Sequence, residues 1–473
     1  MIKKLLLSLS FLFLFSLNAW ATTYTLKASG GDYSTITQVN AASFSPDDIL
    51  VIDNGYSPLG QLTNSNSGTV NHPITYKAIG NYNLPIITGC SITGASYITY
   101  NNIKFLGTSS IQPLDVLGCD NLIFDGIEVD GQGIMDTILW QQTRFTLNGT
   151  TPCHDITIRN STIHSGGNYI TTLNGGGISI REGSYNFLVE NNTVYDEVEH
   201  GMQCYSNNGS YPVHDIVFRG NTIYMNSGYT TDMRGINAGF TSYNITIERN
   251  YIKNCPTFLI GSDANTHDVT IKNNKLQWDW ETPEWFGIYV LSLSGGNNIN
   301  TKIYNNTIID NSTGATGHGV LFLTKDGTTS SGHEIKNNIF YTRSSNFQFI
   351  TEWSETTRVS FTSDYNCFYQ VGDWVPGVIG TWYIDNNGAT NLYATLAEWR
   401  AASGKDANSI DTNPKFVSST DFSLQTSSPC KDTGETIAAV ANDYLGRSRP
   451  QGSAYDIGAY EYVSPGHYLM IKK

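Results

Sequence analysis

Six phrases along this chain share one pattern: FLVENNTV, IVFRGNTI, ITIERNYI, VTIKNNKL, TKIYNNTI and HEIKNNIF. Their second or only asparagine falls at Asn192, Asn221, Asn250, Asn274, Asn306 and Asn338, in steps of 29, 29, 24, 32 and 32 residues. Looser copies come earlier, at Ile98–Phe105, Leu122–Val129 and Ile156–Ile163. Within each copy apolar and polar residues alternate, break at Asn, then resume with an aliphatic residue. Alternation of period two predicts a strand with one buried face. Asn tolerates the left-handed backbone of a sharp bend, and its amide can bond the main chain. A second short strand, often opened by glycine, precedes each copy: GISIR, GMQCY, GINAG, GIYVL and GVLFL.

No single repeat of this size can bury its own apolar face. Stacked repeats can, each strand pairing with its equivalent one rung away at about 4.8 Å. The chain is therefore expected to wind as a coil, with the asparagines at one corner stacked into a ladder of side-chain amides. Nearly all of the Asn signal is structural on this reading.

The repeat resembles that of the right-handed parallel β-helix proteins, the pectate-lyase-like architecture of secreted carbohydrate-active proteins. The resemblance extends over about residues 22 to 462. It implies an all-β, single-stranded right-handed parallel β-helix with short caps: 1–21 a signal peptide, 22–70 an N-terminal cap, 71–370 the solenoid and 371–473 a C-terminal cap and tail. The opening YTLKASGGDYSTITQVN is similar to the first segment of those families, and DTNPKFV, SPCKDTG, DYLGRSRP and YDIGAYEY to their C-terminal tail. LAEWRAASG predicts a short helix closed by Gly404. Caps of this kind cover strand edges that would otherwise associate end to end.

The first residues, a basic MIKK, the apolar LLLSLSFLFLF and a small-x-small NAWA, predict a secretory signal cleaved after Ala21, hence a secreted protein without membrane insertion. The formal charge of −14 becomes −16 once Lys3 and Lys4 are removed. Such a chain repels nucleic acid and acidic membranes, and a polyanionic substrate would need a local basic patch or a bridging cation. Seven scattered cysteines without a CxxC fit neither a zinc site nor a dense disulfide framework. One or two bridges could form, and most are expected to be buried fillers.

Register carries the reading further. In the Gly-opened strands Ile178/Ile180, Met202/Cys204, Ile236/Ala238, Ile288/Val290 and Val320/Phe322 should face inward. Ser179/Arg181, Gln203/Tyr205, Asn237/Gly239, Tyr289/Leu291 and Leu321/Leu323 should face out. The residue before each glycine forms a further row of Gly176, His200, Arg234, Phe286 and His318, with a shorter coil near Thr257 between the third and fourth. His200 and Arg234 thus become neighbours about 5 Å apart. Arg181, Tyr205, Glu197, Glu199, Asp232 and Asp263 approach the same edge.

That set suits β-elimination on a uronic-acid glycan. Arg234 or Arg181 would neutralise the substrate carboxylate, His200 would take the α-proton, and Tyr205 would protonate the leaving oxygen. Gln203, Asn237, Trp280, Trp285, Tyr289 and Lys325 are the expected sugar contacts, and Glu197, Glu199, Asp232 and Asp263 could hold Ca²⁺. Against this, opposite charges on adjacent rungs often simply pair, a lysine such as Lys325 is usually solvated, and Trp278 or Trp285 could cap the core between coils. The expected function is a polysaccharide lyase acting as a monomer, with a glycoside hydrolase or a non-catalytic glycan-binding protein as alternatives. The Asn-Thr-Asp, Asp-Asp and Arg-Ile-Lys elements of polygalacturonase-like hydrolases and the Trp-x-Asp-His of pectate lyases are missing. Only Gly-His-Gly at Gly317–Gly319 matches, so no family residue carries over.

Overall fold

The computed structural model describes residues 21–58, 60–133, 141–166, 176–207, 209–226, 233–281, 284–293, 296–314, 316–355, 359–372, 382–386 and 388–464. Apart from Ala21 the expected signal peptide lies outside them, as does Asp232. Among the described residues no helix is long and apolar enough to cross a membrane.

Each turn of the chain lays one strand into each of three stacked sheets, of 15, 11 and 12 strands. One turn reads Val213–Arg219 in the first sheet, Thr222–Tyr224 in the second, Arg234–Ala238 in the third, then Ser242–Glu248 back beside Val213–Arg219. Every strand pairs parallel with its equivalent one turn away; among the named strand pairs Trp382–Asn386 with Ala389–Tyr393 is the antiparallel exception. The inward residues of the Gly-opened strands, from Ile178 and Ile180 to Val320 and Phe322, are fully buried. Each such aliphatic side chain contributes roughly 1.5–3 kcal/mol by leaving water. Aromatic rings repeat the rung spacing inside: Tyr76, Tyr100 and Phe124 stack with centroids 5.1 Å apart at both steps.

The asparagine corner separates the first sheet from the second. Its leading residue takes the left-handed conformation on each rung, at Asn191, Gly220, Arg249, Asn273, Asn305 and Asn337. The following Asn turns inward and is buried. Asn221 donates Nδ2 to Val189 O (2.9 Å) and to Asn250 Oδ1 (3.0 Å), while its backbone N–H also reaches Asn250 Oδ1 (2.9 Å). The same set repeats from Asn192 to Asn338 and runs on into Asn366, with Ser161 and Ser409 closing the two ends.

The expected boundaries at 71 and 370 mark no break in the sheets. Thr23–Leu26 and Ile49–Ile52 already pair in the first sheet, and Trp382–Asn386 extends the third. Helix Ile36–Ala41 buries Ile36 and Val39, held by a capping box of Thr35 and Gln38. Helix Leu396–Ser403 ends at Gly404 in the left-handed conformation, as expected from the sequence.

The tail does more than close the far end. It runs back along the outside of the asparagine corner, where Asn273, Asn305 and Asn337 donate Nδ2 to Asn442 O, Asp456 O and Glu435 O. In these Asn-Asn pairs the first asparagine binds the tail and the second builds the ladder. All seven cysteines are buried and unbridged.

Candidate functional site

On the outer face of the third sheet, strands His200–Tyr205, Arg234–Ala238 and Phe258–Ser262 lie side by side. Their register pairs His200 with Arg234, Gln203 with Asn237, and Asn237 with Gly261. Gly261 lets its neighbours close in: a Cβ there would meet Asn237 Oδ1 and the Phe258 ring at 2.6 Å each, so those side chains occupy the place of its own. On this face opens a cleft of about 200 Å³, lined by Glu199, His200, Gln203, Tyr205, Asn207, Arg234, Asn237, Gly239, Phe240 and Asp263.

Arg234 organises this cleft. Its Nη1 donates to His200 Nε2 at 3.1 Å and lies 3.5 Å from Glu199 Oε1, and its guanidinium stands 5.9 Å over the Phe258 ring. Arginine has only donors, so Nε2 must accept, and the imidazole is neutral with its proton on Nδ1. Burial pulls the His200 pKa below its ordinary value, which maintains that state, although Glu199 at 3.7 Å from Nδ1 opposes the shift. Arg234 Nε, His200 Nδ1 and Asn237 Oδ1 are buried without a hydrogen-bond partner.

The two carboxylates behave differently. Burial disfavours the charge on Glu199, but His200, Arg234 and Arg181 outweigh it and hold its pKa below the usual range. Burial dominates at Asp263 and raises its pKa, against a bond from Ala264 N (2.8 Å) and the field of Arg234. Arg181 flanks the cleft with its guanidinium 4.6 Å over the Tyr205 ring.

Residues 86–276 match the family model described as the right handed beta helix region. The fold is a right-handed parallel β-helix. A search of curated proteins returns no match. Among solved structures the chain is similar to pectate lyase Pel9A at 13% identity and TM-score 0.45, covering 93% of this chain and 96% of that one. It is similar to a GH136 lacto-N-biosidase from Eubacterium ramulus at 13% identity and TM-score 0.48, covering 74% and 68%. The A-module of the Azotobacter vinelandii mannuronan C-5 epimerase AlgE6 aligns at 12% identity and TM-score 0.43, covering 80% and 93%. These likenesses concern how the chain winds, and the chemistry of this β-helix rests on its own side chains.

The β-helix brings His200, Arg234, Tyr205, Gln203, Asn237, Glu199 and Asp263 together as the register predicts, with Arg181 at the rim. Tyr289 pairs with Gly261 one rung on, stacked on Phe286 (5.4 Å); burial and the nearby Asp263 raise its pKa, while Arg234 lowers it.

Other expectations are corrected. Glu197 faces inward, fully buried, where Gln142 Nε2 bonds both its oxygens at 3.2 Å, and burial drives its pKa well up. Asp196, Glu197 and Val198 are buried in succession, so this loop breaks the alternation that would have put Glu197 and Glu199 on one face. Trp285 is a core residue stacked on Trp278 at 5.3 Å; it is buried in phase with Gly287, between exposed Glu284 and half-buried Phe286, and the phase shifts at Ile288. Trp280 packs edge-on against Trp278 (5.6 Å), away from the cleft. Lys325 lines a different cleft, several rungs further along the same sheet. In the row before the glycines, Phe258 rather than Thr257 fills the short coil, since Leu259 stands where other strands have glycine.

The Ca²⁺ expectation does not fit these side chains. Of its four carboxylates Asp232 lies outside the described residues, Glu197 is buried inward, and Glu199 and Asp263 line the cleft, whereas Ca²⁺ takes about six to eight oxygens. The Arg234 guanidinium already stands where a cation would neutralise Glu199. Elsewhere among the described residues, Glu128, Asp130 and His164 come within metal-binding reach of one another. Lys104 Nζ fills that spot at 2.7 and 2.8 Å from the carboxylates. Sequence reasoning did not find Asn207 or Phe240 as parts of the cleft, nor the Phe258 ring beside Arg234; Asn207 and Phe240 follow the strands, where register assigns no face.

Proposed function

We propose that this protein is a secreted carbohydrate-active enzyme, working as a monomer, that cleaves a uronic-acid-containing polysaccharide by β-elimination in the Arg234 cleft. One observation carries the reading: an arginine with an unpartnered Nε at the cleft holds the lone pair of a neutral, buried histidine. A uronate carboxylate that takes Arg234 both loses its charge and draws Nη1 away from His200 Nε2. The freed Nε2 then accepts the proton from C5. As C5–H breaks, the C4–O4 bond breaks, a C4=C5 double bond forms, and O4 takes a proton from the Tyr205 hydroxyl. Glu199, 3.7 Å from Nδ1, stabilises the imidazolium so formed. Burial raises the pKa of Asp263, and the field of Arg234 opposes that shift. Gln203 and Asn237 offer amides to sugar hydroxyls.

The pKa values of Glu199 and Asp263, pushed in opposite directions within one cleft, favour hydrolysis as the second reading, with Asp263 as acid and Glu199 as base. Incubation with pectate, alginate and glycosaminoglycans separates the two. Elimination creates ultraviolet absorbance from the double bond conjugated to the carboxylate, and Arg234→Ala abolishes it. New reducing ends without absorbance mean hydrolysis. Binding without any cleavage would make this cleft a glycan-binding site and sink both enzyme readings.

A further inference from the structure

The larger cleft on the same sheet has no part in that reaction. It encloses about 490 Å³ between strands Thr316–Thr324, Phe347–Ser354 and Trp382–Asn386. Its register sets Leu323, Trp353 and Asp385 in one outward row, with Tyr383 beside them. Four rungs separate it from Arg234–Ala238, about 19 Å along the axis.

We propose that this cleft is a second, non-catalytic carbohydrate subsite that takes a neutral pyranose unit, with Trp353 as its stacking platform. Trp353 is half-buried on the outer face and cannot swing freely. The His318 ring meets it edge-on at 5.5 Å. His318 is itself buried and fixed by Thr351 Oγ1 (2.9 Å) and Glu284 Oε1 (3.3 Å). A flat ring held rigid at a cleft wall suits the apolar face of a sugar.

Hydrogen-bonding groups ring the platform. Asp385 is oriented by Gly388 N at 2.8 Å and by the Tyr383 hydroxyl at 3.4 Å. Glu355 accepts from Asp326 N at 3.1 Å, which places Lys325 at the mouth. The Lys325 ammonium has no carboxylate partner among the described residues, leaving three donors for hydroxyl oxygens. Two carboxylates against one ammonium give the lining a net negative charge. It therefore suits the hydroxyls of a neutral sugar better than the carboxylate of a uronate.

The test is calorimetric titration of the full mature chain with xylo-, cello-, manno- and galacto-oligosaccharides, and with oligogalacturonate as the acidic comparison. At least one neutral series should bind, Trp353→Ala should weaken it by about tenfold or more, and Trp353→Phe should restore part of it. Asp385→Asn should weaken it less, and Arg234→Ala not at all. That last variant keeps the two clefts separable: its loss of turnover with neutral binding intact would support this subsite whatever the fate of the lyase reading. The proposal falls if no neutral oligosaccharide binds, if Trp353→Ala binds as tightly as the wild type, or if oligogalacturonate is the ligand that depends on Trp353. Lys325→Glu, an exposed change that leaves the core untouched, should weaken binding of the same neutral series; unchanged binding in a folded Trp353→Ala chain overturns the assignment outright.

Discussion

At Arg234 one guanidinium serves two neighbours, and the consequences can be read kinetically. Replacing Arg234 with Lys keeps the charge but loses the planar fork that spans His200 and an incoming carboxylate. Cleavage, measured as kcat/KM, should fall by about 10²–10³-fold, the usual loss when a preorganised donor is removed. The pH profile follows from His200. The base must be neutral, and its pKa lies below the ordinary 6.5, so the acidic limb of kcat/KM should fall below pH 6.5. Glu199 raises the His200 pKa, so Glu199→Gln should move that limb to still lower pH while reducing kcat. A limb that stays in place in the variant would remove His200 from the role of base.

At the scale of the element, the asparagine ladder is a buried polar network in which every member is satisfied, and such networks are costly to interrupt. Asn250→Ala removes the donor to Phe218 O (2.9 Å) and the acceptor for Asn221 N and Nδ2 (2.9 and 3.0 Å). It also strips Asn274 Oδ1 of the Asn250 Nδ2 donor (3.0 Å), while the backbone N–H of residue 250 (2.9 Å) stays in place. At about 1–3 kcal/mol for each buried group left unpaired, a loss of about 3–5 kcal/mol is expected. In a coil whose rungs contact only their neighbours, the damage should be local. Hydrogen exchange should quicken at Phe218–Asn221 and Asn250–Asn274 and stay unchanged near Tyr100. Uniform acceleration along the whole coil would contradict a nearest-neighbour stack.

Over the whole molecule, the tail and the buried titratable groups set stability. Arg449 is buried against Glu461 at 2.6 Å and also bonds Asn273 Oδ1 at 2.9 Å, tying tail to coil. Removing one member of a buried pair strands the other, so Glu461→Ala should cost about 3–5 kcal/mol and loosen the tail. Thermal unfolding checks the first effect and limited proteolysis of the tail the second. Acid stability has a worked sign. His333 is pushed by burial from 6.5 to about 3, so its contribution is complete above 6.5 and is lost as pH falls towards 3. Asp310 and Asp456 are raised by burial to about 6 and about 7, so they regain stability as pH falls from those values to 3.8 and offset His333 in that window. Below about pH 4 that offset ends. Glu128, held at about 2 by His164 and Lys104 against burial, then loses stability together with His333. Each such group contributes a slope of about 1.4 kcal/mol per pH unit. Two acids gain stability where one histidine loses it, so the melting temperature should rise as pH falls from 7 to 4 and drop below 4.

The coil, its asparagine corner, the inward and outward faces and the pairing of His200 with Arg234 were all legible in the sequence. They follow from periodicity, because a parallel stack places residues at equal steps side by side whatever the loops do. Loops and covering segments carry no such period. No spacing shows that Glu197 turns in while Glu199 turns out, that Trp285 enters the core, or that Lys325 belongs with Trp353 and Asp385. The path of the tail along Asn273, Asn305 and Asn337 was equally hidden, since those asparagines read the same in the sequence whether they face water or another segment. The amino-acid sequence by itself determined the winding and the contents of each rung. Only the tertiary structure decided which carboxylates, aromatics and cations share a cleft and where the tail lies, because the first depends on side-chain direction in the loops and the second on contacts such as Asn273 with Asn442, 169 residues apart.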